Sequence, residues 1–83
     1  IEAYERAVSI YSIDQYPINY SNIQNQIGLI YKDIAITKNR DTNLKKALDA
    51  HEEALKIFTI EKYPIEYALT QNYIAVSLGF LYK

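Results

Sequence analysis

The chain of 83 residues contains no cysteine, and this absence excludes several kinds of site. Without thiols there can be no disulfide, no thiolate nucleophile and no zinc–thiolate centre. Because His51 is the single histidine, imidazole ligands are also scarce, and we predict no metal site. A cysteine-free chain is compatible with a reducing compartment, and we expect a cytoplasmic location.

Glycine and proline are also scarce, with two of each in the whole chain. With so few turn-forming residues the chain cannot make many strands and hairpins, so helices joined by short loops are expected. Apolar residues make up 49% of the sequence, which is enough to bury a core. The sequence therefore predicts one small all-α domain spanning residues 1–83.

An excess of charge of either sign is missing as well. The net charge is −1, with nine basic and ten acidic residues interspersed along the chain. A nucleic-acid partner would require clustered Lys and Arg, and so would an anionic membrane surface, so we predict neither. No uninterrupted apolar run approaches the roughly 20 residues of a membrane span. No signal peptide is visible, and because the chain begins inside a predicted helix without Met, we expect it to be part of a longer protein.

The spacing of apolar residues predicts four helices. Apolar side chains recur at intervals of three and four residues, which places them on one face of each helix. Pro17 and Pro64 suit the first turn of a helix, where a missing N–H costs nothing. Asp41 or Thr42 can cap the third helix. Short connections make consecutive helices antiparallel neighbours. The predicted helices span residues 2–14, 17–36, 42–61 and 64–82.

One phrase occurs twice, 47 residues apart. The chain reads QYPINYSNIQNQI at 15–27 and KYPIEYALTQNYI at 62–74. Both copies contain Tyr-Pro-Ile, a second Tyr three residues after the proline, a Gln-Asn pair and a closing Ile. The alignment of 4–31 with 51–78 keeps this register, which chance similarity between amphipathic helices would not do.

The repeated helix pair resembles the tetratricopeptide repeat, in an extended variant found in multi-repeat prokaryotic proteins. The usual period of that family is about 34 residues, and the longer period here implies about two extra turns in each helix. The resemblance implies antiparallel helix hairpins stacked as an α-solenoid fragment of about 1.8 repeats, starting in a second helix and ending in a first helix. The matching positions are Gln24, Ile27, Gly28 and Tyr31, then Ala47, His51 and Ala54, with a weaker copy at Gln71, Ile74, Ala75 and Leu78.

The sequence gives no sign of catalytic chemistry. His51 lies on an apolar helix face, and we interpret it as a packing residue because no second His or Cys could share a ligand or base role. Glu52 and Lys56 have the spacing of a surface ion pair. We see no carboxylate pair for acid–base work and no Gly-rich phosphate loop, so we predict no catalytic residue, no cofactor and no enzyme. The scattered carboxylates are Asp14, Asp33, Asp41, Asp49 and Glu61.

The resemblance implies a scaffold that binds a peptide or helix of a partner protein. In the family, first-helix residues line a concave groove. The Gln-Asn pairs have a second interpretation, in which each side chain bonds to a neighbouring helix. Tyr73 has Gln26 in the matching position, which makes Tyr73 the better contact candidate. The groove candidates carried over by position are Asn22, Asn25, Gln26, Leu29, Asp33, Leu69, Asn72, Tyr73, Val76 and Phe80.

A structural role is the alternative prediction. The end helices would lose a packing partner, and exposed apolar patches tend to pair. The chain would then form a homodimer or a stacked repeat array without a separate ligand. The residues expected to mediate this self-association are Leu78, Phe80 and Leu81.

Overall fold

The computed structural model describes residues 1–82, which form four helices and no strand. The predicted all-α class is therefore confirmed for this part of the chain. The most extensive contact joins α2 and α3, α1 packs on α2, and α4 packs on α3 and also touches α2. The helices are α1 (Glu2–Ile10), α2 (Pro17–Ala35), α3 (Arg40–Ala54) and α4 (Pro64–Leu81).

The two prolines begin α2 and α4, as the sequence predicts. Each proline occupies the first helical position, where its missing N–H leaves no hydrogen bond unmade. The preceding residues adopt nearly the same backbone conformation, with φ −134° and ψ 61° at Tyr16 and φ −135° and ψ 66° at Tyr63. The chain therefore enters both helices in the same way.

The hydrogen bonds before these helices also repeat. The amide of Tyr16 donates to the carbonyl of Ser12 over 2.9 Å, and the amide of Tyr63 donates to the carbonyl of Thr59 over 2.8 Å. The hydroxyl oxygens of Ser12 and Thr59 each accept a further backbone N–H three residues ahead. The 47-residue sequence repeat is thus a structural repeat at these connections.

An aromatic pair closes each connection. The rings of Tyr11 and Tyr16 meet edge to face with centroids 5.2 Å apart, and those of Phe58 and Tyr63 do so at 5.6 Å. Edge-to-face contact is a favoured arrangement of aromatic rings. The tyrosine before each proline therefore packs on an aromatic ring just beyond the end of the preceding helix.

The predicted ends of α1 and α3 are wrong. The structure ends α1 at Ile10 and α3 at Ala54, four and seven residues earlier than predicted. After Ala54 the backbone tightens, with the amides of Ile57 and Phe58 both bonded to the carbonyl of Ala54. This turn directs the Phe58 ring into the interior, where it is 1% exposed. The longer period led us to expect further helical turns in α3 up to residue 61. The chain instead leaves the helix after Ala54 and buries the Phe58 ring in a turn.

The start of α3 also differs from the prediction. Asn39 precedes the helix with φ 45° and ψ 56°, a left-handed conformation that asparagine tolerates better than most residues. Asp41 and Thr42 lie inside the first turn, so neither caps the helix as predicted. The Asn43 side chain instead donates to the carbonyl of Lys38 over 2.8 Å, which holds the preceding loop in place.

The core lies around α3. Small residues on this helix allow α2 and α4 to approach it closely, and no residue of α1 is buried. The spacing of three and four residues in the third segment predicts an inward face that includes Leu48 and Leu55, which are half-buried, and five residues that are buried. These are Leu44, Ala47, His51 and Ala54, with Phe58 just beyond the helix end.

Helix α4 is the most apolar of the four. Its one charged residue is Glu66, and several large apolar side chains on it face solvent, with Ile65 at 72% and Leu69 at 49% exposure. Within residues 1–82, no helix combines the length and the hydropathy needed to cross a bilayer. The exposed apolar side chains of α4 form a patch on the surface of residues 1–82.

Candidate functional site

His51 lies at the centre of the molecule, where α2, α3 and α4 meet. Its side chain is fully buried, and its ring lies against Gly28 of α2 and 5.3 Å from the ring of Tyr73 of α4, centroid to centroid. A Cβ at Gly28 would come within 2.5 Å of two imidazole atoms. The lack of a side chain at Gly28 is therefore what allows the ring to sit there.

A chain of buried hydrogen bonds runs through Asn25. His51 Nδ1 lies 2.8 Å from Asn25 Oδ1, Asn25 Nδ2 donates to Thr70 Oγ1 over 2.8 Å, and Thr70 donates to the carbonyl of Glu66 over 2.8 Å. With this amide orientation every group in the chain has a partner, which assigns the imidazole proton to Nδ1. The chain links α2, α3 and α4 through side chains.

The second imidazole nitrogen carries no proton in this arrangement. His51 Nε2 is buried and has no hydrogen-bond partner within residues 1–82. Burial lowers the pKa of His51 to about 4, and the positive charge of Lys32 adds to this shift. The imidazole is therefore neutral at pH 7 and closed to solvent, so it locks the helices together rather than exchanging protons with a bound molecule.

A second polar contact joins α2 and α3 at the surface. The Tyr20 hydroxyl donates to Glu53 over 2.5 Å, and Lys56 contacts the other oxygen of Glu53 at 2.6 Å. The pKa of Glu53 is lowered, mainly by the hydrogen bond from Lys56 and next by the one from Tyr20. The pKa of Tyr20 is raised, mainly by burial and next by its hydrogen bond to Glu53. Lys56 therefore pairs with Glu53 and not, as the spacing suggested, with Glu52.

A depression of about 80 Å³ opens between α2 and α4. Helices α2 and α4 correspond to the first helix of the repeat in the resemblance, and we call them first-type helices. The depression brings together groove candidates from both: Asn22, Asn25 and Gln26 with Leu69 and Tyr73. Phe58 and Glu66 complete the lining, and the sequence did not predict either.

Asn25 lies at this depression, but both ends of its amide are occupied by His51 and Thr70. Asn25 therefore bonds to the neighbouring helices, as the second interpretation of the Gln-Asn pairs predicts, and its amide is not free for a partner. We leave Asn25 out of the residues proposed to contact a partner. Its counterpart Asn72 is exposed on α4 and does not line the depression.

The other candidates lie outside the depression. Leu29 and Phe80 are half-buried, Val76 is exposed, and Asp33 is exposed beside Lys32 at 3.6 Å. Among the self-association candidates, Leu78 is exposed whereas Phe80 and Leu81 are half-buried. Five of the ten groove candidates thus line the depression between α2 and α4, and the other five lie outside it.

A wider and more open hollow of about 230 Å³ lies on the other side of α2, against α3. Lys46 lies over the Tyr31 ring there, 5.3 Å from its centroid. None of the groove candidates contributes to this hollow. Its lining consists of Gln24, Ile27, Tyr31, Lys46, Asp49, Ala50 and Glu53.

Comparisons with known proteins give no match. No protein-family model matches the chain, and neither a curated protein nor a solved structure is significantly similar to it. The resemblance to tetratricopeptide repeats therefore stays a prediction that depends on the residues quoted for it.

Sequence reasoning missed Thr70 as a member of the buried network. Its counterpart one repeat earlier is Ile23, so a hydroxyl replaces an apolar side chain at a core position. Such a replacement calls for a buried partner, because an unpaired hydroxyl is costly to bury. In the structure the Thr70 hydroxyl donates to the carbonyl of Glu66 in its own helix and accepts from Asn25, and the sequence carries no signal for the second of these contacts.

Proposed function

We propose that this chain is a non-enzymatic, cytoplasmic scaffold, a tetratricopeptide-like α-solenoid fragment that binds a peptide or helix of a partner protein. The observation that carries the proposal is the depression between α2 and α4, which brings together groove candidates from both helices. Exposed apolar side chains on α4 extend from its rim, including Leu69. Grooves of this kind between helices are a recurring mode of peptide recognition.

The repeated geometry of the connections supports the solenoid part of the proposal. The two helix entries share backbone angles, hydrogen bonds and an aromatic pair 47 residues apart. Solenoid proteins are built from units that repeat in this way and contact their neighbours in the chain. The first-type helices α2 and α4 then lie on one side, where they form the groove.

The size of the depression favours a side chain as its occupant. Pockets for small-molecule ligands and cofactors measure about 300–1,000 Å³, several times the volume found here. The walls are apolar at Phe58, Leu69 and Tyr73, and Asn22 and Glu66 add polar groups. We therefore propose that a neutral or basic side chain of the partner, with an apolar stem, enters the depression.

The experiment starts from peptides selected on the immobilised protein from a random 12-residue library. Fluorescence anisotropy then compares their affinity for the wild type and for Leu69→Glu, which places a carboxylate at the depression. We expect a loss of about tenfold or more, equivalent to at least 1.4 kcal/mol. Circular dichroism checks that helicity is unchanged.

Ile65→Glu is the matched control. Ile65 lies one turn earlier on α4, is more exposed than Leu69 and does not line the depression. We expect its affinity to stay close to that of the wild type. Equal losses in the two variants, or no loss in Leu69→Glu, would contradict the proposed site.

A further inference from the structure

We infer that the depression between α2 and α4 binds an arginine side chain of the partner peptide. The inference rests on the proposed function, because the peptide supplies the arginine, and it narrows the occupant of the depression to one residue type. The lining of the depression carries the inference through an apolar wall, a wall of amides and a single carboxylate.

The two walls come from equivalent positions of the repeat but differ in chemistry. All four wall residues line the depression, and those of α4 lie 47 residues after those of α2. They are Leu69 and Tyr73 on α4, and Asn22 and Gln26 on α2. The α4 wall is therefore largely apolar where the α2 wall carries amides. A side chain that enters between the walls has to present an apolar stem to one of them and polar groups to the other.

The amides of the α2 wall are open to a ligand. Asn22 and Gln26 are exposed, although both α1 and α3 pack on α2. Asn25 lines the depression too, but His51 and Thr70 occupy its amide. The side chains of Asn22 and Gln26 each carry a carbonyl oxygen that can accept a hydrogen bond. The α2 wall therefore offers acceptors to a donor group on the ligand.

Glu66 determines the sign of the charge that the depression accepts. It is the one charged residue of the lining, it is half-buried, and it forms no ion pair within residues 1–82. An apolar occupant would take water from this carboxylate without replacing its hydrogen bonds, which is costly, and an anionic occupant would be repelled. A cationic head pairs with the carboxylate, so charge complementarity selects a basic side chain.

The set of acceptors favours arginine over lysine. A guanidinium carries its N–H donors in a planar fork, which can meet a carboxylate and neighbouring amide oxygens together. A lysine ammonium is a compact charge that holds its water more strongly. The planar guanidinium also stacks on aromatic faces, and the half-buried ring of Tyr73 lies in the apolar wall. We therefore expect the stem to pack on Leu69 and the head to bind Glu66 and the amides.

The experiment is an NMR titration of the isotope-labelled protein with N-acetyl-arginine methylamide, at neutral pH and constant ionic strength. We expect saturable shifts of the side-chain amides of Asn22 and Gln26, with a dissociation constant of about 1–10 mM, because so small a ligand makes few contacts. The citrulline analogue has nearly the same shape without the charge, and we expect it to bind at least about tenfold more weakly. The lysine analogue keeps the charge but not the fork, so its affinity is expected between the two.

Protein variants separate the contacts of the head from those of the stem. Glu66→Gln removes the charge and is expected to lower the affinity for the arginine analogue to that for the citrulline analogue. Glu61→Gln is the matched control, because Glu61 is exposed just before α4 and does not line the depression, and its affinities stay at the wild-type values. Leu69→Ala shortens the apolar wall without adding a charge, so it is expected to weaken both analogues by a similar factor.

Circular dichroism checks the fold of each variant. Thr70 bonds to the backbone carbonyl of Glu66, so Glu66→Gln leaves that contact in place. Where Glu66→Gln lowers helicity, the comparison of the analogues on the wild type decides alone. The absence of saturable shifts, equal affinities for arginine and citrulline, lysine binding as tightly as arginine, or an affinity that Glu66→Gln leaves unchanged would overturn the inference. Failure of the proposed function is a different result, in which the selected peptides bind Leu69→Ala as tightly as the wild type.

Discussion

The imidazole of His51 lies against Gly28 so closely that a Cβ there would come 2.5 Å from Cε1 and Nε2. Real side chains do not approach so near, so Gly28 sets the distance between α2 and α3. The ring cannot move aside freely, because Asn25 holds Nδ1 from one side and Tyr73 packs against the ring. This contact therefore determines the packing of the central helix pair.

Gly28→Ala is expected to destabilise the protein by about 2 kcal/mol, because the added methyl forces the buried ring or the helices apart. Urea unfolding followed by circular dichroism measures the change. Gly79→Ala is the matched control, since nothing lies within 4 Å of a Cβ at that position of α4. There the better helix propensity of alanine is expected to stabilise by up to about 1 kcal/mol. Shifts of the same sign in both variants would contradict the close packing of His51 on Gly28.

Asn25→Ala is expected to cost about 2 kcal/mol or more, because it leaves the His51 Nδ1–H buried without an acceptor. Its repeat counterpart provides the control: Asn72→Ala removes an exposed amide and is expected to change stability by less than about 0.5 kcal/mol. Thr70→Val removes the next link, and a double-mutant cycle with Asn25→Ala measures their coupling. Unfolding midpoints that move equally for Asn25→Ala and Asn72→Ala would argue against the buried network.

Stability is expected to fall in acid because of His51. Its pKa is about 4 in the folded protein, below the usual 6.5, so the unfolded chain takes up the proton first as the pH drops. The stabilisation is complete above pH 6.5 and is lost between pH 6.5 and pH 4, amounting to about 3 kcal/mol.

The measurement compares unfolding free energies of the wild type and His51→Leu from pH 7.5 to pH 4. The carboxylates titrate in both proteins, so the difference between the two curves isolates the imidazole. An NMR titration of the His51 ring reports its folded pKa directly. A folded pKa near 6.5, or parallel stability curves for the two proteins, would disprove this linkage.

The sequence predicted the starts of α2 and α4 well because both depend on local chemistry. Pro17 and Pro64 define where α2 and α4 begin, and no tertiary contact is needed to see this. The predicted end of α3 was wrong because Phe58 follows Ala54 at a helical spacing of four residues, although the chain there forms a turn. The spacing of apolar residues is the same whether such a ring is buried by a further turn of helix or by a tight turn after the helix.

Some members of the buried site were predictable from the sequence, but Thr70 and the contacts between the members were not. The sequence identified His51 as a packing residue and Asn25 as a residue with two possible roles. The contact of His51 with Gly28 depends on the rotation and height of α3 against α2, which many side chains set together. The pairing of Asn25 with Thr70 depends on α4 reaching across α3 at the right level. Single-sequence spacing does not fix either of these.

The two aromatic pairs provide a last test of how the repeat distributes stability. Phe58 and Tyr11 hold equivalent positions, and each meets a tyrosine edge to face. Phe58 is 1% exposed and lines the depression between α2 and α4, whereas Tyr11 is 36% exposed beside the edge helix α1. Local geometry is thus the same in the two copies, and burial differs.

Phe58→Ala is therefore expected to destabilise by about 3 kcal/mol or more, the usual cost of emptying a large buried site. Tyr11→Ala removes the equivalent ring and is expected to cost less than about 1 kcal/mol, because the site is half open to water. Urea midpoints at a constant m-value measure both variants. Equal costs would mean that the edge-to-face contact itself, present in both copies, carries the stabilisation. A large excess for Phe58→Ala assigns it to the three-helix environment, which the first copy lacks around Tyr11.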